Sequence, residues 1–210
     1  MTMQAVAVGV MARLKAETAE HHARAEGKAL QQKLVRGLLT REEYAAWLGQ
    51  MLLVHRALEA AVERSRPRAE VLKVITDEQT HSRRLMEDLA FYGVDAHGVR
   101  ANRATARLIA RIDAIAAENP VAVLGLHYVL EGSMNGNTYI AMGVRKGLGL
   151  SPGQGDRYLD PYGPQQRAKW AEFRSGVDSC AWTVTDADAA VEGAKAMFEG
   201  VGEVCEELGG

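Results

Sequence analysis

Apolar residues recur at helical spacing along almost the whole chain. Tyr44, Leu48, Met51, Leu52, His55, Leu58 and Val62 form one stripe at intervals of three and four, the period that lines up one face of an α-helix. Thr40-Arg-Glu-Glu43 just ahead of it has the capping-box pattern, in which the threonine and the glutamate each satisfy the other's backbone N–H. The pattern therefore predicts a long helix that starts there and runs to about 64. It also predicts a first helix at 11–25 ending near Gly27, a short one at 28–36, one at about 68–92 stopped by Gly93, and one from Asn102 to about Ala117. Asn119-Pro120 opens a segment from Val121 to about Val144, with the proline in the first turn. Two further helices, at about 165–180 and 184–207, finish the chain. Strand signals are essentially absent, so the expected class is all-α. The expected organisation is one domain at 11–208 behind a flexible N-terminus at 1–10.

Composition narrows the partners. The chain has 210 residues, enough for one domain with a sizeable core. A net charge of -2 gives no electrostatic case for nucleic acid or an anionic membrane. Residues 3–11 lack the basic start and long apolar core of a signal peptide. No apolar run approaches the roughly 18–20 residues that span a bilayer. The two cysteines, Cys180 and Cys205, form no CxxC and no disulfide framework, which points to a reducing cytoplasm. The glycine-rich connection at 147–163 is no phosphate loop, because no Lys-Ser/Thr follows and no strand precedes it.

Two constellations carry chemistry. Lys15, Thr18, His22 and Glu26 fall at helical spacing on one face. A neutral imidazole can bind iron through one nitrogen while the other donates to a carboxylate. Glu26 is spaced to be that carboxylate, and Lys15, two turns earlier, to meet a cofactor carboxylate. Ordinary i,i+4 pairs on an exposed helix would give the same spacing. Neighbours on a helix point about 100° apart, so only one of His21 and His22 can face a pocket. The second constellation is Glu131-Gly-Ser-Met-Asn-Gly-Asn-Thr138. Gly132 and Gly136 are four apart and each costs a helix interior roughly 1 kcal/mol against alanine. One return for that cost is close approach of backbone to a planar ligand, with Ser133 or Asn137 near a bound diatomic or water. The other reading is a turn where two helices meet.

At this point the residues resemble a known family, the biliverdin-producing haem oxygenases of bacteria. Leu14-Lys-Ala-Glu-Thr-Ala-Glu-His-His-Ala-Arg-Ala-Glu26 is similar to the family's proximal helix, as is Thr40-Arg-Glu-Glu-Tyr44 leading into Ala57-Leu-Glu59 to its next. Glu87-Asp-Leu-Ala-Phe-Tyr-Gly93 resembles the end of the following helix. Tyr128-Val-Leu-Glu-Gly-Ser133 with Gly136 resembles the distal helix. Asp160-Pro-Tyr-Gly163 followed by Trp170 and Phe173 resembles the element after it. These five matches run in order from about 13 to 181. The resemblance implies a single-domain helical bundle with haem between the first helix and a glycine-kinked distal helix. It implies His22 as iron ligand, Glu26 orienting it, Gly132 and Gly136 as distal backbone contacts, and Lys15 as a propionate partner, with Thr18 on the same face. Arg167, Lys169 or Arg174 would hold the other propionate.

The chain departs from the family pattern at several positions. Asn137 stands where a second glycine is frequent, Ser133 where many members have an aspartate, and His55 in place of a distal tyrosine. His127 lies where a propionate-side polar residue is expected. The implied reaction takes haem as both cofactor and substrate. It uses O2 and electrons from a donor such as a ferredoxin or flavodoxin reductase system, and yields biliverdin, carbon monoxide and ferrous iron. Ordered water held near Gly132, Ser133, Asn137 or His55 would supply protons. A cytoplasmic monomer is expected.

Three rival readings stand beside this one. A carrier or sensor would bind haem or another tetrapyrrole without cleaving it. A non-haem di-iron oxidase on the same fold would use Glu78-x-x-His81 and Glu131, although no histidine follows His127. In a strongly polar stretch, His81 otherwise reads as a surface residue. A thiamin-degrading enzyme would need a cysteine nucleophile, and Cys180 and Cys205 read instead as small buried thiols.

Overall fold

The computed structural model describes residues 9–209. Residues 1–8, most of the expected N-terminal tail, lie outside the described residues. Within the described residues the chain forms ten α-helices and no strand: α1 (Val10–Glu17), α2 (Ala19–Glu26), α3 (Ala29–Arg36), α4 (Arg41–Ser65), α5 (Ala69–Val74), α6 (Ser82–Phe91), α7 (Arg103–Glu118), α8 (Val123–Leu148), α9 (Gln166–Asp178) and α10 (Val184–Gly209). None of them is long and apolar enough to cross a membrane.

The long helices α4, α7, α8 and α10 enclose the core. The α4 stripe does so as its spacing requires: Tyr44, Leu48, Leu52 and Leu58 are buried. Its start is fixed by the capping box. The Glu43 amide donates to the Thr40 hydroxyl at 3.1 Å, and the Thr40 amide donates to Glu43 Oε2 at 2.8 Å. A Thr40→Ala change is expected to cost about 1 kcal/mol, measured as a lower denaturant midpoint at unchanged m-value.

Helix α8 is the hub, packing on α10, α3 and α9. Its first turns, Val123 to His127, are buried on every side. Glycines let the neighbouring backbones come close. A Cβ on Gly125 would stand 1.7 Å from the Ala190 carbonyl oxygen of α10, and one on Gly143 would stand 2.2 Å from that of Val35 in α3.

The chain departs from the expected elements in two places. The first helix pauses at Thr18, whose hydroxyl donates back to the Leu14 carbonyl at 2.6 Å, an alternative partner that loosens the helix locally. The expected helix at 68–92 is two helices and a 3-10 turn at Asp77–Gln79. Thr76 starts that turn with a box of its own, its amide donating to Gln79 Oε1 at 2.8 Å. Helix α6 is then capped from a distance: the His81 and Ser82 amides donate to Glu59 Oε1 at 2.8 and 2.9 Å. A cap supplied by α4, 22 residues upstream, leaves no local signature.

Candidate functional site

Helix α2 lies on α10, and this separates the two adjacent histidines. His21 is turned toward α10, with Nε2 3.3 Å from Glu199 and its side chain 17% exposed. His22 keeps 54% of its side chain exposed, with Nε2 3.3 Å from Glu26 Oε1. Its ring meets Phe198 edge-on at 5.3 Å. One ring nitrogen of His22 is thus engaged by Glu26 and the other is available. The two exchange if the ring turns over, so either can be the ligating one. Lys15 is exposed on the same stretch, whereas Thr18 is buried with its hydroxyl committed to Leu14.

Along α8, Ser133 and Gly136 are exposed. At Gly136 an added Cβ would meet nothing within 4 Å. The helix continues through both glycines, so the alternative reading of this segment as a turn does not describe it. The Ser133 hydroxyl donates to the Leu130 carbonyl at 2.7 Å and retains its lone pairs. Asn137 points into the interior instead, with Nδ2 3.3 Å from the Met134 sulfur. Of the three basic residues on α9, Lys169 is paired with Glu78 at 2.7 Å and Glu172 at 3.3 Å. Arg167 and Arg174 are exposed and make no ion pair among the described residues.

His55 and His127 are elsewhere. They sit at the end of a cavity of about 220 Å³ walled by Leu58, Val62 and Ile75, with Glu63, Arg66 and Asp77 also lining it. Neither His22 nor the α8 glycines line it, nor do they line a second, more polar cavity of about 670 Å³ between α6 and the 152–161 segment. Behind the first cavity lies a buried polar group that the sequence did not announce. His81, expected at the surface, is 1% exposed. Arg84 approaches its Nδ1 at 3.3 Å, and a guanidinium only donates, so Nε2 carries the hydrogen given to Glu131 Oε2 at 3.2 Å. His127 Nε2 lies 3.9 Å from the same oxygen, and it and Glu131 Oε1 find no hydrogen-bond partner among the described residues. His55 Nε2 and the Tyr158 hydroxyl share a bond of 3.0 Å. Tyr158 is held in turn by Asp88, which accepts from the Arg157 and Tyr158 amides at 2.9 and 2.8 Å.

Burial sets the charges of this group. It pushes His127 down to about 4 and His55 well below its ordinary value, so both are neutral. Burial pushes Glu131 up, but its polar contacts, the bond from His81 first among them, hold the carboxylate below its ordinary value. Asp88 is raised by burial to about 6. The linkage signs differ. The two histidines bind protons in the unfolded chain from 6.5 downward but not in the folded one, so they remove stability as pH falls. Asp88 binds its proton first in the folded chain and opposes them below about 6. Near pH 5 the two histidines outweigh the one aspartate, so stability falls as the pH falls. Calorimetry from pH 7 to 4.5 is expected to show a falling Tm, with the slope flattened by His127→Gln.

The rival ligand sets do not assemble. Glu78 is paired with Lys169 while His81 faces Glu131. Among the described residues, no three His, Cys, Asp or Glu side chains are arranged to hold a metal ion. Cys205 is buried and raised to about 12, and Cys180 is raised by burial and bonded to the Gly176 carbonyl at 3.3 Å. Neither is an activated nucleophile.

Comparison with known proteins places this architecture. A family profile described as heme oxygenase matches residues 9–207, and the chain belongs to the haem oxygenase family. Among solved structures it is similar to the heme oxygenase from Leptospira interrogans, at 22% identity and a TM-score of 0.87 over 95% of this chain and 100% of that one. It is also similar to heme oxygenase-1 from the cyanobacterium Synechocystis sp. PCC6803 in complex with heme, at 19% identity and a TM-score of 0.87 over 96% and 92%. A domain of unknown function with a heme oxygenase-like fold from Shewanella denitrificans aligns at 16% identity and a TM-score of 0.75 over 97% and 93%. At these identities the likeness is one of fold. No curated protein sequence matches the chain significantly.

Proposed function

We propose that the chain binds haem between α2 and α8 and cleaves it to biliverdin, carbon monoxide and ferrous iron, using O2 and electrons from a ferredoxin- or flavodoxin-type reductase system. The observation that carries this is Gly136. In mid-helix it costs roughly 1 kcal/mol against alanine, and no neighbour among the described residues needs the space. A flat ligand lying on the helix backbone would need it. The accessible His22, with one nitrogen engaged by Glu26, fits the same ligand. Haem, when bound, supplies the redox-active iron and is itself the molecule consumed.

The residues then divide the task. His22 is a neutral ligand whose tautomer and ring plane Glu26 holds. Lys15, Arg167 and Arg174 are the cations open to the propionates, Lys169 being engaged by two glutamates. Ser133 offers an acceptor oxygen to a distal water. A second reading, haem carriage without cleavage, is favoured by one observation: Ser133 to Gly136 carries no titratable side chain, and His55 and His127 open on a different cavity.

Hemin added to the purified protein, followed by ascorbate or a reduced ferredoxin in air, separates the two. A Soret band decaying into broad red absorption supports the oxygenase. A Soret band that survives supports the carrier, and absence of any Soret band overturns both.

A further inference from the structure

The two glycines of α8 face different neighbours. Gly136 faces open space, but a Cβ on Gly132 would stand 3.2 Å from Cη2 of Trp170, with Cζ2 and Cζ3 at 3.7 Å. The edge of the indole therefore rests against the α8 backbone. The ring is not free to retreat. It stacks on Phe173 with centroids 5.4 Å apart and planes 11° apart, and it leans on Tyr128 at 5.7 Å. Phe173 is itself buried in the core. Tyr128 lies one turn before Gly132, and its phenol is raised by burial and lowered by the Thr18 hydroxyl nearby. Tyr128 and Trp170 thus stand together beside Gly132, one turn before Gly136 on the same face of α8, and Tyr128 reaches Thr18, four residues before His22.

A flat ligand fixed at one point by a histidine can still turn in its own plane. What stops it is whatever stands at its rim. We infer that Trp170, seated against Gly132, is a specificity-determining wall that sets which edge of a planar macrocycle lies at Gly136. This rests on the haem reading above and assigns Gly132 a partner inside the chain. A side chain at Gly132 would press on the indole edge, which would have to give by a few tenths of an ångström. The indole is wide, stacked on Phe173 and flanked by the tilted ring of Tyr128, so it stops rotation without relying on a charged anchor.

The seat and the wall are tested separately. Calorimetry on the ligand-free chain compares Gly132→Ala in the natural background and in Trp170→Ala. The expected result is a lower Tm in the first and an unchanged or higher Tm in the second, since alanine is the better helix former by about 1 kcal/mol. An equal loss in both backgrounds overturns the seat. Chromatography of the bilin then reads the wall. Trp170→Ala is expected to convert one dominant biliverdin isomer into a mixture, with Trp170→Phe intermediate and hemin binding kept within about threefold. An unchanged isomer pattern in Trp170→Ala overturns the wall. A natural chain that binds no hemin or forms no bilin removes the wall together with the haem reading, while the Tm comparison still decides the seat.

Discussion

Alanine at His22 is expected to abolish the native ferric Soret band and to lower bilin formation at least about 100-fold, because no other group on α2 combines exposure with an orienting carboxylate. Replacing Glu26 with glutamine keeps the ligand but loosens its tautomer and plane, for a loss of about 10-fold. Added imidazole is expected to restore part of the His22→Ala spectrum, since the space it needs is the one the side chain vacates. His21→Ala is the control. Its ring is turned toward Glu199, so the spectrum should stay. If His21→Ala removes the Soret band and His22→Ala leaves it, the ligand is His21. Optical titration with hemin and a single-turnover bilin assay read all three variants.

Gly125→Ala is expected to be a severely damaging single-methyl change. The new Cβ would lie 1.7 Å from the Ala190 oxygen, 2.6 Å from its carbonyl carbon and 2.9 Å from its Cα. All three are backbone atoms of α10, and no rotamer relieves them. Overpacking against a side chain costs about 1–3 kcal/mol. Against backbone, at least about 3 kcal/mol is expected, a fall in Tm of about 10 °C for a chain of this size. Gly136→Ala gives the opposite result: the same added methyl, with nothing within 4 Å, should leave the ligand-free chain as stable or up to about 1 kcal/mol more stable, while weakening hemin binding. Thermal melts with and without hemin read both outcomes.

The helices were legible because periodicity and caps are local. The α4 stripe, the Thr40–Glu43 box and the Asn119-Pro120 start each carry their signal within a few residues. The split at 75–81 was legible only in part: Thr76-Asp-Glu-Gln79 carries a local box, but the group that caps α6 is Glu59, on another helix. The burial of His81 follows from the same fact. The stretch Asp77–Arg84 is polar throughout, and only the fold turns one of its members inward onto Glu131. At the site, spacing found His22 and Glu26 but could not choose between His21 and His22 on physical grounds. That distinction lies in how α2 rests on α10. Spacing also joined Asn137 to the glycines, although one residue of rotation carries it into the interior. Trp170 was legible only as part of a motif, since its contact with Gly132 joins residues 38 apart in sequence.

The close approaches along α8 have a mechanical consequence. At Gly125 the helix touches the main chain of α10, and at Gly143 that of α3. Both contacts are backbone against backbone, with no flexible side chain between to take up movement. The helix is therefore held at Gly125 at one end and at Gly143 and Gly147 at the other, with 18 residues, about 27 Å, between Gly125 and Gly143. Ser133 and Gly136 lie near its middle. Such a span cannot swing about either end. On the haem reading proposed above, entry of the flat ligand requires the span to bow, most of all where glycine softens it.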